Sequence, residues 1–189
     1  ITYGAIAAIF SLILIIGAPH LLWWGLVYLP LIVASFYLSW AKKERSLLAR
    51  LVAIASACLV LPLAINVDMP HPWFAADAIA PKGWYLCALL TTYFATTVPF
   101  VKTVIRERNS TPWFVGSITV HVVVVLAMAA LAVQGYNYWT HVLVWVLLTG
   151  RAVAMPLLAK RRGVPWRPRN IGMQEIGYSL LVFATLPYG

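Results

Sequence analysis

Acidic side chains are scarce in this chain: five Asp and Glu in 189 residues, against fourteen Lys and Arg. Only 10% of residues are charged, where a soluble domain carries roughly a quarter, so the outer surface faces a solvent other than water. Cysteine is nearly absent as well. Cys58 and Cys87 lie inside apolar stretches, outside any CxxC or CxxCH pattern, which excludes a disulfide framework and a c-type haem attachment. DxxxD, Walker, GxSxG and HExxH patterns are missing, so no diphosphate–magnesium, nucleotide-loop, serine-hydrolase or zincin site is legible. There is no internal repeat and no low-complexity tract.

What the chain has in abundance is apolar length. Hydrophobic residues make up 62%, with mean hydropathy +0.86. Seven apolar runs cover residues 2–18, 21–40, 51–67, 83–101, 113–134, 139–158 and 171–188. Each is long enough for a hydrocarbon core of about 30 Å at about 1.5 Å per residue. Only helices satisfy backbone amides there, so the expected fold is all-α, a polytopic transmembrane bundle of seven spanning helices forming a single domain, 1–189. Residues 1–18 lack a basic leader and a small-residue cleavage site and read as a spanning helix. Pro30 and Pro62 are expected to kink their helices. Residues 68–82, with three prolines and two aspartates, read as an irregular loop.

The basic residues are sorted. Twelve fall in loops 42–50, 102–112 and 159–170, while only Lys82 lies on the opposite side, beside Asp68 and Asp77. The positive-inside rule makes the three basic loops cytoplasmic, and an odd number of spans then leaves the C-terminus extracytoplasmic. Tryptophans near the run ends form the expected interfacial belts, and Trp145 alone lies well inside a run. The net charge of +9 is therefore topological, and it suits anionic membrane lipids rather than nucleic acid, for which no basic face interleaved with aromatics exists.

Two constellations stand out. The segment from Lys102 to His121 is the most charge-dense stretch, and Lys102, Arg106 and Arg108 are candidates for lipid or phosphate contact. Lys102 and Arg106, at i and i+4, are expected to extend the fourth helix on one face. His121 lies about 12 Å into the fifth run. Arg151 lies at a similar depth in the sixth, and Glu175, the sole acid inside a run, is in the seventh. An arginine at mid-bilayer costs at least about 2.5 kcal/mol, so Arg151 needs a partner and Glu175 is expected to be it. His121, Arg151 and Glu175 thus form an intramembrane polar cluster, more readily a helix-orienting ion pair than an anion pocket. The second constellation, His20, His71 and His141 with Asp68 and Asp77, has the right donors for zinc or copper but no diagnostic spacing, so no metal or other cofactor is assigned.

The stretches KTVIRER (102–108), His121 and NIGMQEIGYS (170–179) resemble the YwiC-like family of bacterial integral membrane proteins, over about residue 20 to the end. The resemblance implies a bacterial plasma membrane location. Family members are longer and begin with a further helical pair and a Gln-His-Gly-Ala-Trp-like motif. That motif is absent here, which implies a missing N-terminal part. With two added helices the count reaches nine, as in prenyltransferase-like membrane folds.

The function expected first is a non-catalytic accessory or scaffolding subunit of a larger bacterial membrane complex, with a respiratory-chain assembly as the host and other membrane subunits as partners. The alternative is a membrane enzyme acting on a lipid-linked or isoprenoid phosphate at the inner leaflet, with Lys102, Arg106, Arg151 and His121 around the phosphate. A transporter ranks last, because it calls for inverted repeats.

Overall fold

A computed structural model describes residues 2–65 and 81–186. The elements are α1 (Thr2–Gly17), a short 3-10 helix (Pro19–Trp23), α2 (Trp24–Trp40), α3 (Leu47–Cys58), α4 (Val60–Ile65), α5 (Pro81–Ile105), α6 (Thr111–Val133), α7 (Trp139–Arg162) and α8 (Pro168–Ala184). All the described regular structure is helical, as expected of runs that must satisfy their own backbones in lipid. Five helical stretches among the described residues are long and apolar enough to cross a membrane: Pro19–Trp40, Leu47–Ile65, Lys82–Ile105, Thr111–Val133 and Trp139–Arg162. The remaining two runs make shorter helices. α1 has 16 residues and α8 has 17, and the first half of α8 carries Arg169, Asn170, Gln174 and Glu175. The loop expected over 68–82 falls almost wholly outside the described residues.

The chain divides into two compact units, Ile1–Thr91 and Thr92–Gly189, with the boundary inside α5. In the first unit, α2 packs on α3, and the Tyr28 hydroxyl donates to the Ser56 carbonyl at 3.3 Å. Pro30 is absorbed within α2 without ending it. Pro62 does interrupt its run: α3 stops at Cys58 and α4 starts at Val60. The cause is local, because a proline offers no N–H to the carbonyl four residues back and its ring clashes there. Ser46 begins α3 as its N-cap, its Oγ accepting from the Ala49 amide at 3.1 Å. The Trp24 and Trp84 rings stack at 5.7 Å, and Cys58 and Cys87 are buried free thiols. Large apolar side chains cover the outside, Phe10 and Ile16 on α1 and Phe36 and Trp40 on α2 among them.

The second unit holds α6, α7, α8 and most of α5. α6 packs along α7, and α7 packs on α8. One end is closed by Phe100 and Val104 of α5, Ala152 and Met155 of α7 and Ile171 of α8, with Trp166 packed against them. The Trp166 indole donates to the Met155 carbonyl at 2.9 Å, which ties the α7–α8 connection back onto α7. Gly163, at φ +64°, is the left-handed residue that ends α7 and allows this return. The centre of the unit is filled by Trp145 and Tyr93, both fully buried, with rings edge-on at 6.4 Å.

The fourth run ends earlier than its charge pattern suggests. α5 stops at Ile105, and the Lys102 carbonyl accepts both the Arg106 amide at 2.9 Å and the Glu107 amide at 2.8 Å. Arg106 and Glu107 therefore belong to the turn that closes α5, and the helix does not run on through the charged segment.

Gly83 marks a close approach in the first unit. A Cβ there would stand 3.0 Å from Ile65 Cδ1 and 3.4 Å from Pro62 Cα. Gly83→Ala should be near neutral, because the Ile65 methyl can swing away and alanine gains about 1 kcal/mol of helix propensity over glycine. Gly83→Val should lower stability by about 1–3 kcal/mol, since its extra methyls meet the Pro62 backbone. Thermal unfolding in detergent, followed by tryptophan fluorescence, measures both. A valine variant as stable as the parent would show that α4 and α5 do not touch there.

Candidate functional site

Arg151 has the whole second unit arranged around it. It sits mid-way along α7, 5% exposed. Its Nη1 donates to Glu175 Oε1 of α8, the ion pair that the burial cost demands. The flat faces of the guanidinium are covered by aromatic rings, Phe100 of α5 at 4.1 Å and Tyr178 of α8 at 4.4 Å. A desolvated cation–π contact is worth up to about 2 kcal/mol, so the rings add to the carboxylate. Nε and Nη2 of Arg151 have no hydrogen-bond partner among the described residues. Glu175 Oε2 accepts from the Tyr93 hydroxyl at 3.4 Å, and that hydroxyl also meets Ser179 Oγ at 3.0 Å.

Three helices therefore converge on one charge. Glu175, Tyr178 and Ser179 fall at i, i+3 and i+4, which places them on one face of α8. Tyr93 and Phe100, seven residues apart, come from one face of α5. The Arg151–Glu175 pairing was legible in the sequence. Tyr93, Phe100, Tyr178 and Ser179 were missed; the spacing around Glu175 was the available signal for the two on α8.

His121 is buried in α6, and its Nδ1 donates to the Ser117 carbonyl at 2.8 Å, one turn back along its own helix. No hydrogen bond joins it to Arg151 among the described residues. The nearby Ser117 hydroxyl is also buried and has no partner among the described residues.

His141 has a different place from the one its position in the sequence suggests. It is fully buried in the first turn of α7. Trp145 Nε1 donates to His141 Nε2 at 3.1 Å, so the ring proton is on Nδ1, which meets Thr185 Oγ1 at 2.9 Å. Thr185 Oγ1 in turn donates to the Leu181 carbonyl at 2.9 Å. This chain fastens the start of α7 to the end of α8 and engages both ring nitrogens. His71, Asp68 and Asp77 lie outside the described residues. No group of three or more metal-ligating side chains occurs among the described ones.

The basic residues around the α5–α6 turn are dispersed. The Lys102 ammonium lies 3.6 Å above the Trp113 ring. Arg106 is exposed. Arg108 folds back so that its Nε donates to the Val104 carbonyl at 3.2 Å, and it lines an open cleft between this turn and the end of α7. The cleft has two adjoining hollows of about 290 and 210 Å³, which share Arg108, Asn109, Pro156 and Lys160. Lys160 was counted in the sequence only for topology. Its place beside Arg108 depends on how the turn after α5 meets the end of α7.

The ion pair yields a stability prediction. Glu175→Ala should cost about 3–5 kcal/mol, because it strands a buried guanidinium. The double variant Arg151→Met/Glu175→Leu should recover most of that loss, since well-packed apolar residues replace such pairs at little cost. Tyr93→Phe should cost about 1 kcal/mol, the worth of a hydroxyl hydrogen bond. Unfolding of the three proteins in one detergent gives the ranking. A stable Glu175→Ala protein would mean that Arg151 does not need its carboxylate.

The comparisons with known proteins reach both units. The protein described as Uncharacterized protein YwiC, from Bacillus subtilis (strain 168), is 26% identical over 108 residues, which is 57% of this chain and 42% of that protein. The match thus spans less than half the length of that relative. No solved structure matches the chain. Residues 1–65 match the YwiC-like protein family, a region that contains neither the KTVIRER stretch, nor His121, nor the helix with Glu175. The resemblance to the YwiC-like family is therefore real, and the family match lies in the first third of the chain.

Proposed function

We propose that this chain is a non-catalytic accessory subunit of a larger bacterial membrane complex, with a respiratory-chain assembly as the first host to examine. In this reading it lies in the plasma membrane with loops 42–50, 102–112 and 159–170 on the cytoplasmic side. The observation that carries it is how the buried polar groups are used. Buried Arg151, His121 and His141 and the half-buried Glu175 spend hydrogen bonds on the bundle itself, joining helix to helix or side chain to backbone, with Arg151 Nε and Nη2 left unpaired among the described residues. Such use suits a rigid scaffold, because a reaction centre needs groups free to meet a substrate. The apolar exterior offers neighbours a broad helical surface, with Leu126 and Val133 on α6 and Leu143 and Val146 on α7 among its exposed members.

One observation favours the second reading, an enzyme of lipid-linked or isoprenoid phosphates: the cleft presents Arg108 and Lys160 together. Its weakness is that cations alone bind a phosphate without activating a nucleophile or protonating a leaving group.

Gentle solubilisation of the native membrane separates the two. The subunit reading expects the chain to migrate in an assembly far heavier than itself in detergent, with the same neighbouring proteins recovered by cross-linking. Recovery of the chain alone, at its own mass plus detergent, overturns it. Turnover of a polyprenyl phosphate by that lone species would then establish the enzyme.

A further inference from the structure

The geometry points to a binding site for the phosphate group of an anionic membrane lipid in the cleft between the α5–α6 turn and the end of α7. Arg108 and Lys160 stand on either side of it, and Thr103, Asn109, Ser110 and Thr111 supply neutral polar groups to its lining. No acidic side chain lines it among the described residues. Because Arg108 spends its Nε on the Val104 carbonyl, the arm is fixed while its two terminal nitrogens remain for a ligand. A guanidinium held this way suits a phosphate, which accepts two parallel N–H bonds, and Lys160 adds a point charge. The 23-residue α6 starts in the wall of the cleft at Thr111, without a side-chain cap from Ser110, so the positive end of its dipole adds to the same potential.

The choice of a lipid over a free phosphate rests on the other lining residues. Phe114 lies one turn into α6 and Leu157 lies in α7, and both line the smaller hollow. Both belong to helices long and apolar enough to span a membrane. The polar groups therefore sit at the depth of lipid headgroups, and the apolar ones sit where an acyl chain starts. Two hollows of about 290 and 210 Å³ accommodate a phosphate diester and its glycerol. The inference rests on placement of the chain in a membrane and not on a role as a subunit. A chain that purifies alone and still binds the lipid leaves the site intact.

The test titrates the purified full chain in detergent with phosphatidylglycerol, phosphatidylcholine and inorganic phosphate, and reads bound species by native mass spectrometry. Phosphatidylglycerol should be retained over phosphatidylcholine, and millimolar inorganic phosphate should not displace it. Arg108→Gln/Lys160→Gln should weaken phosphatidylglycerol by about tenfold or more, while Arg161→Gln/Arg169→Gln, with the same net charge, should stay within about twofold. Ala159→Trp keeps every charge and fills the larger hollow, so it should weaken binding as well. Melting midpoints establish that the variants are folded, and should the tryptophan variant fail to fold, the comparison of the two glutamine pairs decides. Equal losses in the two pairs would reduce the site to general surface charge and overturn it. Displacement by inorganic phosphate alone would overturn the lipid as the source.

Discussion

A single buried guanidinium sets the terms for the second unit. Placing Arg151 in an apolar bundle costs at least about 2.5 kcal/mol on the gentlest scale. That cost is offset by three contributions from two neighbouring helices: the charge of Glu175 and the ring of Tyr178 on α8, and the ring of Phe100 on α5. None of these can be supplied if α5 or α8 is rotated about its axis by a residue or two. Apolar contacts alone would tolerate such rotation, because lipid tails compete with leucine on equal terms. The charge pair therefore acts less as a source of net stability than as a constraint on which packing is chosen. That is the best-attested use of buried ionic groups.

The ends of the unit are held by other means. At one end His141 transmits a hydrogen bond from Trp145 to Thr185, and a neutral imidazole is the only state that can accept from an indole and still donate. At the other end, Trp166 and the cluster of Phe100, Val104, Ala152, Met155 and Ile171 close the core. Phe100 belongs both to this cluster and to the cover over Arg151, so the apolar end and the charged centre are coupled through one ring.

How much of this could be read beforehand follows the range of each interaction. The helices were legible because apolar length in lipid permits nothing else, and the break at Leu59 followed from the missing amide of Pro62. Arg151 and Glu175 could be paired because the inventory inside the runs held a single acid. The aromatic cover was not legible: Phe100 is one of many aromatics, and only the rotation of α5 selects it. The end of α5 was misjudged because KTVIRER continues a helical charge pattern, while the structure turns the chain through a carbonyl shared by two amides. His141 looked like a boundary residue by position alone, and a partner 44 residues away decided otherwise. The family match lies in residues 1–65, while the match to the Bacillus relative is long enough to take in KTVIRER as well.

The basic residues of the loops can be ranked by the same physics. A cation with an aromatic ring or a carbonyl within reach has lost part of its freedom, as Lys102 has over Trp113 and Arg162 has over Trp166 at 5.3 Å. A fully solvated one, such as Arg106, pays conformational entropy to hold any ligand and contributes mainly to the surface potential. Arg108 is intermediate: one bond to the Val104 carbonyl fixes its arm while the end of the guanidinium stays open. Lys160 faces the same cleft from a helix whose course is set by the packed core behind it, through Met155 and Ala152. Two cations fixed by backbone and core make a different object from ten cations dispersed over helix ends and connections, although net charge counts them alike. The clustering of basic residues between apolar runs is a topology signal in the sequence. It does not explain why two of them line one cleft, which follows from the turn after Ile105 that brings Arg108 beside the end of α7, where Lys160 lies.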